Sequence, residues 1–350
     1  MAVYKHFLAG AALIVGVGQA STPVRGYNIS AKGAVHERIT SFSEDCAKIE
    51  PAPIRCSLPR TKSEFNGKDW KLGAYTRAVR WPDDPTRQGN VRGIIKFGIN
   101  AGLGRCADYL KPGKPFAGLM CNSHYGKLQF MHAMSSSDTE TFEATRNLIL
   151  AWSKFTFGVA SGRIPADAPF CATVRAEGSP LAEVLAPEDF PFCEERVTAR
   201  GTYPAWKIRT LFVLSCRNPF SSTTCSEATG KPADELARRN ATGALLHLIQ
   251  DSYSRSHTGR AHDDARGPYS SNIDCRPVRK FYLYSLNKRN HGAADGTPVF
   301  SPDCGDKSGI LDPITASARM LRAIARGGRD AESAAVTMMA DEVLGKPPQV

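Results

Sequence analysis

The sequence predicts a single, mainly α-helical domain, and three observations support this fold class. Several segments repeat apolar residues at the three- and four-residue spacing of one helix face, whereas the alternating pattern of strands is sparse. The 350 residues are 42% hydrophobic and 23% charged, which is ordinary for a globular protein. The length fits one large domain or two small ones, and no internal repeat or low-complexity tract divides the chain. We therefore expect one all-α, multi-helix domain with long loops.

The first twenty residues have the pattern of a secretory signal peptide. Lys5 precedes an apolar run over residues 7–17, and the small residues Gly18 and Ala20 resemble a cleavage site. The run is shorter than the roughly 20 apolar residues of a membrane-spanning helix. We expect residues 1–20 to be removed, residues 21–345 to form the domain, and the protein to be secreted or periplasmic. An uncleaved anchor is the alternative.

The cysteines fit an exported protein. Their number is even, and neighbours along the chain are close enough to pair into short loops. Connectivity does not follow from sequence, so the pairing of neighbours is only the simplest prediction. No Cys-x-x-Cys is present, which argues against a zinc ribbon or a thioredoxin-type site. The ten cysteines are Cys46, Cys56, Cys106, Cys121, Cys171, Cys193, Cys216, Cys225, Cys275 and Cys304.

The chain is basic, with a formal net charge of +11 at pH 7. A basic surface attracts phosphate groups on nucleic acid, anionic lipid or small esters, and it does not discriminate among them. An exported protein that is basic without binding phosphate is the alternative.

In the first two thirds of the chain, helices alternate with loop-rich stretches. His36 stands at the start of a predicted helix near the mature N-terminus. Residues 50–125 are rich in Pro, Gly and Arg, which indicates loops with short elements. Apolar spacing predicts an amphipathic helix over residues 139–158. Within the proline-rich stretch 164–230, the apolar segment 206–214 is compatible with either helix or strand.

The last third carries the strongest helix signals. Pro232 suits the first turn of a helix, and acidic residues two and three positions later favour the positive end of the helix dipole. Apolar spacing continues this helix to about Tyr253. The Ala-rich C-terminus predicts two helices, 312–326 and 329–344, joined at the glycines 327–328.

The first of these helices carries the most informative motif. His247 and Asp251 are four residues apart, so they lie on one helix face about one turn apart. His257 follows six residues later, where the helix could end and let it fold back. Imidazole nitrogens and carboxylate oxygens are zinc ligands. His291 and Asp295 repeat the spacing of four, which suggests a site with more than one metal ion.

Further candidate ligands lie earlier in the chain. His36, His124 and His132 supply imidazoles, and the adjacent Asp83 and Asp84 supply carboxylates. His124 and His132 are alternatives for one position, with core packing as the other interpretation of His132. Either aspartate could instead form an N-cap or a turn.

Taken in order, these motifs resemble the zinc-dependent phospholipase C / S1–P1 nuclease superfamily. Its members carry His-x3-Asp-x5-His on one helix, matched here by His247, Asp251 and His257, and a later His-x3-Asp/Glu, matched by His291 and Asp295. The family's early His, its Asp two residues after a Trp, and its His before an aromatic residue are matched by His36, Asp83 and His124.

The resemblance implies an all-α fold holding two or three zinc ions. It assigns one ion to His247, Asp251, His124 and Asp83, a second to His257, His291 and Asp295, and a third to Asp251 and His36. Such ions grip phosphoryl oxygens and lower the pKa of a bound water toward ~7. Asp83 or Asp84 would accept the proton of that water.

The chain also departs from this pattern. Family members begin the mature chain with a Trp that completes one metal site, whereas the predicted first residue here is Ser21. The 33 residues between His257 and His291 exceed the usual gap, and this segment contains Cys275. The third ion therefore depends on a replacement for the Trp.

These observations predict a secreted, zinc-dependent phosphoester hydrolase of the phospholipase C type. Its substrate would be a phosphodiester, either a phospholipid reached by peripheral membrane contact or a nucleic acid, and no protein partner is implied. The alternatives are a single-strand nuclease or 3′-nucleotidase of the same fold, and a non-enzymatic, disulfide-rich secreted binding protein. A serine hydrolase is disfavoured because Gly-x-Ser-x-Gly is absent.

Overall fold

The computed structural model describes residues 34–52, 55–70, 73–83, 118–198, 201–217, 224–227, 230–260, 271–284, 294–301, 304 and 309–346. This part of the chain is mostly helical, as predicted. The predicted signal peptide at 1–20, Ser21, Asp84 and His291 lie outside the described residues. None of the described helices combines the length and the apolar character needed to cross a membrane.

Eleven α-helices are present in the described part of the chain. They are α1 (Val35–Ala47), α2 (Lys62–Gly67), α3 (Ala74–Ala78), α4 (Gly118–Tyr125), α5 (Phe142–Ala160), α6 (Phe170–Ala176), α7 (Leu181–Leu185), α8 (Ile208–Val213), α9 (Lys231–Asp251), α10 (Pro313–Arg326) and α11 (Gly328–Thr337). A 3-10 turn spans Gln129–His132, and a π-helical turn at Met338–Val343 extends α11.

Short strands form four two-stranded sheets among the described residues. Three sheets are antiparallel: β1 (Arg196–Thr198) with β2 (Gly201–Tyr203), β3 (Leu214–Arg217) with β4 (Thr224–Glu227), and β5 (Thr258–Arg260) with β7 (Val278–Phe281). The fourth pairs β6 (Asn272–Ile273) with β8 (Val299–Phe300) in parallel. The ambiguous segment 206–214 therefore contributes both α8 and the first residue of β3.

Local signals account for several helix boundaries. The hydroxyl of Thr141 caps α5 by accepting a hydrogen bond from the Ala144 amide. Pro232 lies in the first turn of α9, as predicted, although α9 ends at Asp251 rather than near Tyr253. The break between α10 and α11 falls at Gly327, whose φ of 64° lies in the left-handed region that favours glycine.

The core surrounds α9, which packs against α3, α5, α8 and α10. Aromatic side chains pack together in this core: the Trp81 ring lies 4.9 Å from that of Phe212 and 6.4 Å from that of Trp152, between ring centroids. Because Trp81 is 4% exposed and precedes Asp83 by two residues, this packing fixes the chain that carries Asp83. The core thus holds one predicted ligand next to α9.

The disulfides join neighbours along the chain. The pairs are Cys46–Cys56, Cys171–Cys193 and Cys275–Cys304. Cys121 is also disulfide-bonded, and the backbones of Cys216 and Cys225 pair across β3 and β4. For the three pairs whose partners are both described, the prediction of neighbouring pairs is confirmed. Disulfides are typical of proteins that fold in an oxidising compartment.

Candidate metal centre

Seven of the predicted ligands form one continuous buried cluster at the C-terminal end of α9. Each is linked to another by a nitrogen–oxygen distance between 2.9 and 3.9 Å. The seven are His36, Asp83, His124, His132, His247, Asp251 and His257. They come from α1, from the segment after α3, from α4, from the 3-10 turn, from α9 and from the turn that follows α9.

Four donor atoms lie close together within this cluster, at distances of 2.9 to 3.9 Å for five of their six pairs. Nδ1 of His132 and Nε2 of His247 are 3.0 Å apart, and each lies 2.9 Å from Oδ2 of Asp251. Oδ1 of Asp83 lies 3.7 Å from the His247 nitrogen and 3.9 Å from the His132 nitrogen. Two ligands of a tetrahedral zinc ion are about 3.3 Å apart, given bonds of about 2.0–2.1 Å. These four residues could therefore hold one ion.

The two carboxylate oxygens of Asp251 face different histidines. Oδ2 contacts the pair described above, whereas Oδ1 lies 3.4 Å from Nε2 of His36. The ring of His36 stacks on that of His247 with centroids 4.0 Å apart. His36, His247 and Asp251 offer ligand atoms within 4.8 Å of one another, and so do Asp83, His124 and His132. Each of these two groups could hold a metal ion.

Hydrogen bonds orient four of the histidine rings. In each, Nδ1 lies within hydrogen-bond distance of an oxygen of the protein, an arrangement that fixes the tautomer and the ring angle of metal-binding histidines. The pairs are His247 with the Val79 carbonyl at 2.8 Å, His36 with Oε1 of Gln250 at 2.6 Å, His257 with the His132 carbonyl at 2.6 Å, and His124 with Oγ of Ser123 at 3.0 Å.

The tautomer of His247 creates a need for a cation. Because Nδ1 donates to the Val79 carbonyl, the neutral ring carries a lone pair on Nε2. That lone pair faces an oxygen of Asp251 at 2.9 Å, which is repulsive unless a proton or a metal ion lies between them. Burial disfavours the proton, while Asp251 and Asp83 favour it and raise the pKa of His247. A metal ion at this position would take over the role of that proton.

The two central carboxylates remain ionised. Burial by itself would raise their pKa values, but the surrounding imidazoles outweigh it. His247 and His124 hold the pKa of Asp83 below its usual value, and His247 and His257 hold that of Asp251 well below it. Both side chains are therefore anionic donors at neutral pH.

Several buried polar atoms of the cluster make no hydrogen bond within the described part of the chain. They are Oδ2 of Asp83, Oδ1 of Asp251 and Nε2 of His132. Leaving a buried polar atom unsatisfied costs about 1–3 kcal/mol, so native proteins rarely do so. Metal ions bound at this site would give these carboxylate oxygens and this imidazole nitrogen a partner.

Asp295 lies at the edge of this cluster. Its Oδ1 accepts hydrogen bonds from Oγ of Ser254 at 2.5 Å and Oγ of Ser256 at 2.9 Å. Burial raises the pKa of Asp295 to about 7, against the opposing effect of His257. Of the three ligands predicted for a second ion, the structure describes His257 and Asp295, because His291 lies outside the described residues.

The structure brings both alternative histidines to Asp83. Nε2 of His124 and Nδ1 of His132 lie 3.8 and 3.9 Å from Oδ1 of Asp83, and the three residues form a potential ligand group. His132 also contacts Asp251 and His247 through the same nitrogen, at 2.9 and 3.0 Å. His124 instead packs edge-on against Tyr284, with ring centroids 5.5 Å apart.

The groups that orient the ligands were not predicted. Gln250 and the serines at 254 and 256 carry a weak signal, because these polar residues lie within three positions of predicted ligands. The Val79 carbonyl carries none, because every residue has a backbone carbonyl.

No protein-family model, curated protein or solved structure matches this chain. The case for a metal centre therefore comes from the geometry of the chain itself.

Proposed function

We propose that this protein is a secreted, zinc-dependent phosphoester hydrolase of the phospholipase C type. The observation that carries the proposal is the convergence of donor atoms from Asp83, His132, His247 and Asp251 at ligand spacing. A structural ion needs only one closed set of ligands, whereas this set adjoins further potential ligands on His36, His257 and Asp295. Adjacent ligand groups are typical of phosphoesterases with several metal ions.

The donors suit zinc, which binds imidazole and carboxylate groups. Asp83, His132, His247 and Asp251 would hold one ion, His257 and Asp295 would contribute to a second, and His36 with Asp251 to a third. When bound, zinc supplies Lewis acidity toward phosphoryl oxygens and lowers the pKa of water toward ~7.

Asp83 is suited to accept the proton of the attacking water. Its Oδ2 accepts no hydrogen bond from the described residues. Its side chain keeps 7% exposure, whereas that of Asp251 is fully buried. Of the two carboxylates, Asp83 is therefore the one that water can reach. The same role was predicted as an alternative for Asp84, which lies outside the described residues.

The packing of the aromatic residues bears on the choice between a lipid and a nucleic acid. A nuclease needs accessible rings on which bases stack. Trp152 is fully buried in the core, and Tyr284, which contacts the site through His124, is only 3% exposed. Trp206 stacks on Phe192 at 4.9 Å between ring centroids and is partly exposed. The two buried rings, Trp152 and Tyr284, are therefore not open stacking platforms.

The test is to purify the exported protein without chelator and to measure its metal content by plasma mass spectrometry. We expect about two or three zinc ions per chain. Phosphatidylcholine vesicles should then release the phosphorylated head group, and single-stranded DNA should be cleaved more slowly. The reverse preference would favour the nuclease. Less than one ion per chain, not restored by added zinc, would refute the proposal and leave the binding protein.

A further inference from the structure

A glycine inside α9 contradicts the helix propensity of its position. Gly243 lies in the middle of the 21-residue helix, where glycine is less favourable than alanine. Its φ is not among the positive values of the described glycines, so the backbone itself does not require glycine. Gly243 precedes His247 by one helical turn, on the same face. The reason for a glycine at position 243 must therefore lie in the segment that packs against this helix face.

The backbone of another segment occupies the space that a side chain at position 243 would need. An added Cβ would lie 2.1 Å from the carbonyl carbon of Ala78, 2.2 Å from its oxygen and 2.6 Å from the amide nitrogen of Val79. All three are backbone atoms, so no side-chain rotation can relieve the overlap. Only glycine lets the end of α3 approach α9 this closely.

The same close approach delivers an oxygen to a ligand of the candidate metal centre. The carbonyl of Val79 accepts the hydrogen bond from Nδ1 of His247 at 2.8 Å. This bond sets the tautomer in which Nε2 of His247 faces the donor atoms of Asp251 and Asp83, at 2.9 and 3.7 Å. Both partners of the bond are buried, so water does not substitute for the carbonyl.

We propose that Gly243 is a positioning residue for the metal centre: by lacking a side chain, it seats the Val79 carbonyl against α9 and so orients His247 for zinc. The inference rests on the proposed function, because it concerns the same centre. It assigns a role to a residue that binds no metal and carries no polar side chain.

The test compares Gly243→Ala with a matched control, Gly158→Ala. Gly158 is also a buried glycine inside a long helix, but its added Cβ would meet the ends of two side chains, Arg163 and Ile164, rather than backbone. Zinc affinity is measured by competition with a chelator, on protein whose helical content matches wild type. We expect Gly243→Ala to bind zinc about 10- to 100-fold more weakly, the usual effect of losing a group that orients a ligand. The control should match wild type.

Unchanged zinc affinity in Gly243→Ala, or an equal loss in both variants, would overturn the inference. Wild type is measured first, because a wild-type protein that binds no zinc refutes the proposed function instead. If Gly243→Ala does not fold, nitrogen-15 NMR of wild type decides. The His247 ring, assigned by its absence in His247→Asn, should carry a proton on Nδ1 with and without zinc. A metal-free ring that carries no proton on Nδ1 would overturn the inference.

Discussion

The two halves of α9 face different surroundings although they form one continuous helix. In residues 231–240, Lys231, Glu235, Arg238 and Arg239 are exposed while alanines at every fourth position face the core. In residues 241–251 every residue is buried. The first half is therefore an ordinary amphipathic surface helix, whereas the second half runs through the interior.

This difference decides what a polar side chain can do. In the first half, Glu235 pairs with Arg239 on the helix surface, where water competes for both groups. In the second half, water is excluded and each polar side chain needs partners from other elements. Gln250 donates to Oγ1 of Thr40 at 3.0 Å, and Asp251 is contacted by four imidazoles. Burying polar side chains is energetically unfavourable, so their concentration in this half of α9 marks the candidate site.

The largest expected effect comes from Asp251→Asn. This change removes the negative charge at the centre of four imidazoles, so zinc affinity should fall by more than about 100-fold, beyond the loss of a group that only orients a ligand. Turnover of phospholipid should fall with it. Metal analysis and the vesicle assay measure both. Asp234→Asn is the matched control on the exposed half of α9, where Asp234 pairs with Arg209 at 3.2 Å, and it should behave like wild type. Equal zinc content in both variants would contradict the role of Asp251.

The next effect separates two neighbouring histidines. His132 contributes one of the four central donor atoms, whereas Nε2 of His124 lies 3.8 Å from Oδ1 of Asp83 and its ring packs 4.9 Å from that of His132, between centroids. We therefore expect His132→Ala to weaken zinc binding by about 100-fold and His124→Ala by about tenfold. These values are the upper and lower ends of the usual loss in metal affinity when a group around a metal ion is mutated. Chelator competition measures both. If His124→Ala weakened zinc binding more than His132→Ala, His124 rather than His132 would be the ligand.

Removal of zinc should destabilise the buried half of α9. An ion that binds only the folded chain stabilises it by about 2.7 kcal/mol at a free concentration 100 times Kd. A chelator should lower the Tm of wild type, and added zinc should restore it. Differential scanning calorimetry of Asp251→Asn should show a much smaller shift. A wild-type Tm that is insensitive to both chelator and zinc would argue against the metal centre.

The smallest effect is expected on the exposed half of the helix. Glu235→Ala removes an i,i+4 ion pair with Arg239, whose side chains are 63% and 45% exposed. Such pairs contribute less than about 0.5 kcal/mol to the free energy of unfolding. Urea denaturation should therefore give nearly the wild-type midpoint. A loss of more than about 1 kcal/mol would show that the two halves are not as different as their burial indicates.

The parts of the fold that follow from local signals were predictable. Thr141 and Pro232 mark helix starts, and Gly327 breaks the chain between α10 and α11, because caps and backbone dihedrals depend on a few neighbouring residues. The end of α9 was less predictable. Apolar spacing continues to Tyr253, but the helix stops at Asp251, where the turn carrying His257 begins.

In the candidate site, too, some features follow from the sequence and others only from the tertiary structure. The sequence by itself determined that His247 and Asp251 share a helix face, since spacing alone fixes this, and it named the other residues of the cluster. Only the tertiary structure decided that Nδ1 of His132 meets Nε2 of His247, and that His36 meets Gln250 across 214 positions of the chain. It also decided that the Val79 carbonyl orients His247. Such contacts depend on how closely distant segments pack, and a backbone carbonyl has no signature in the sequence.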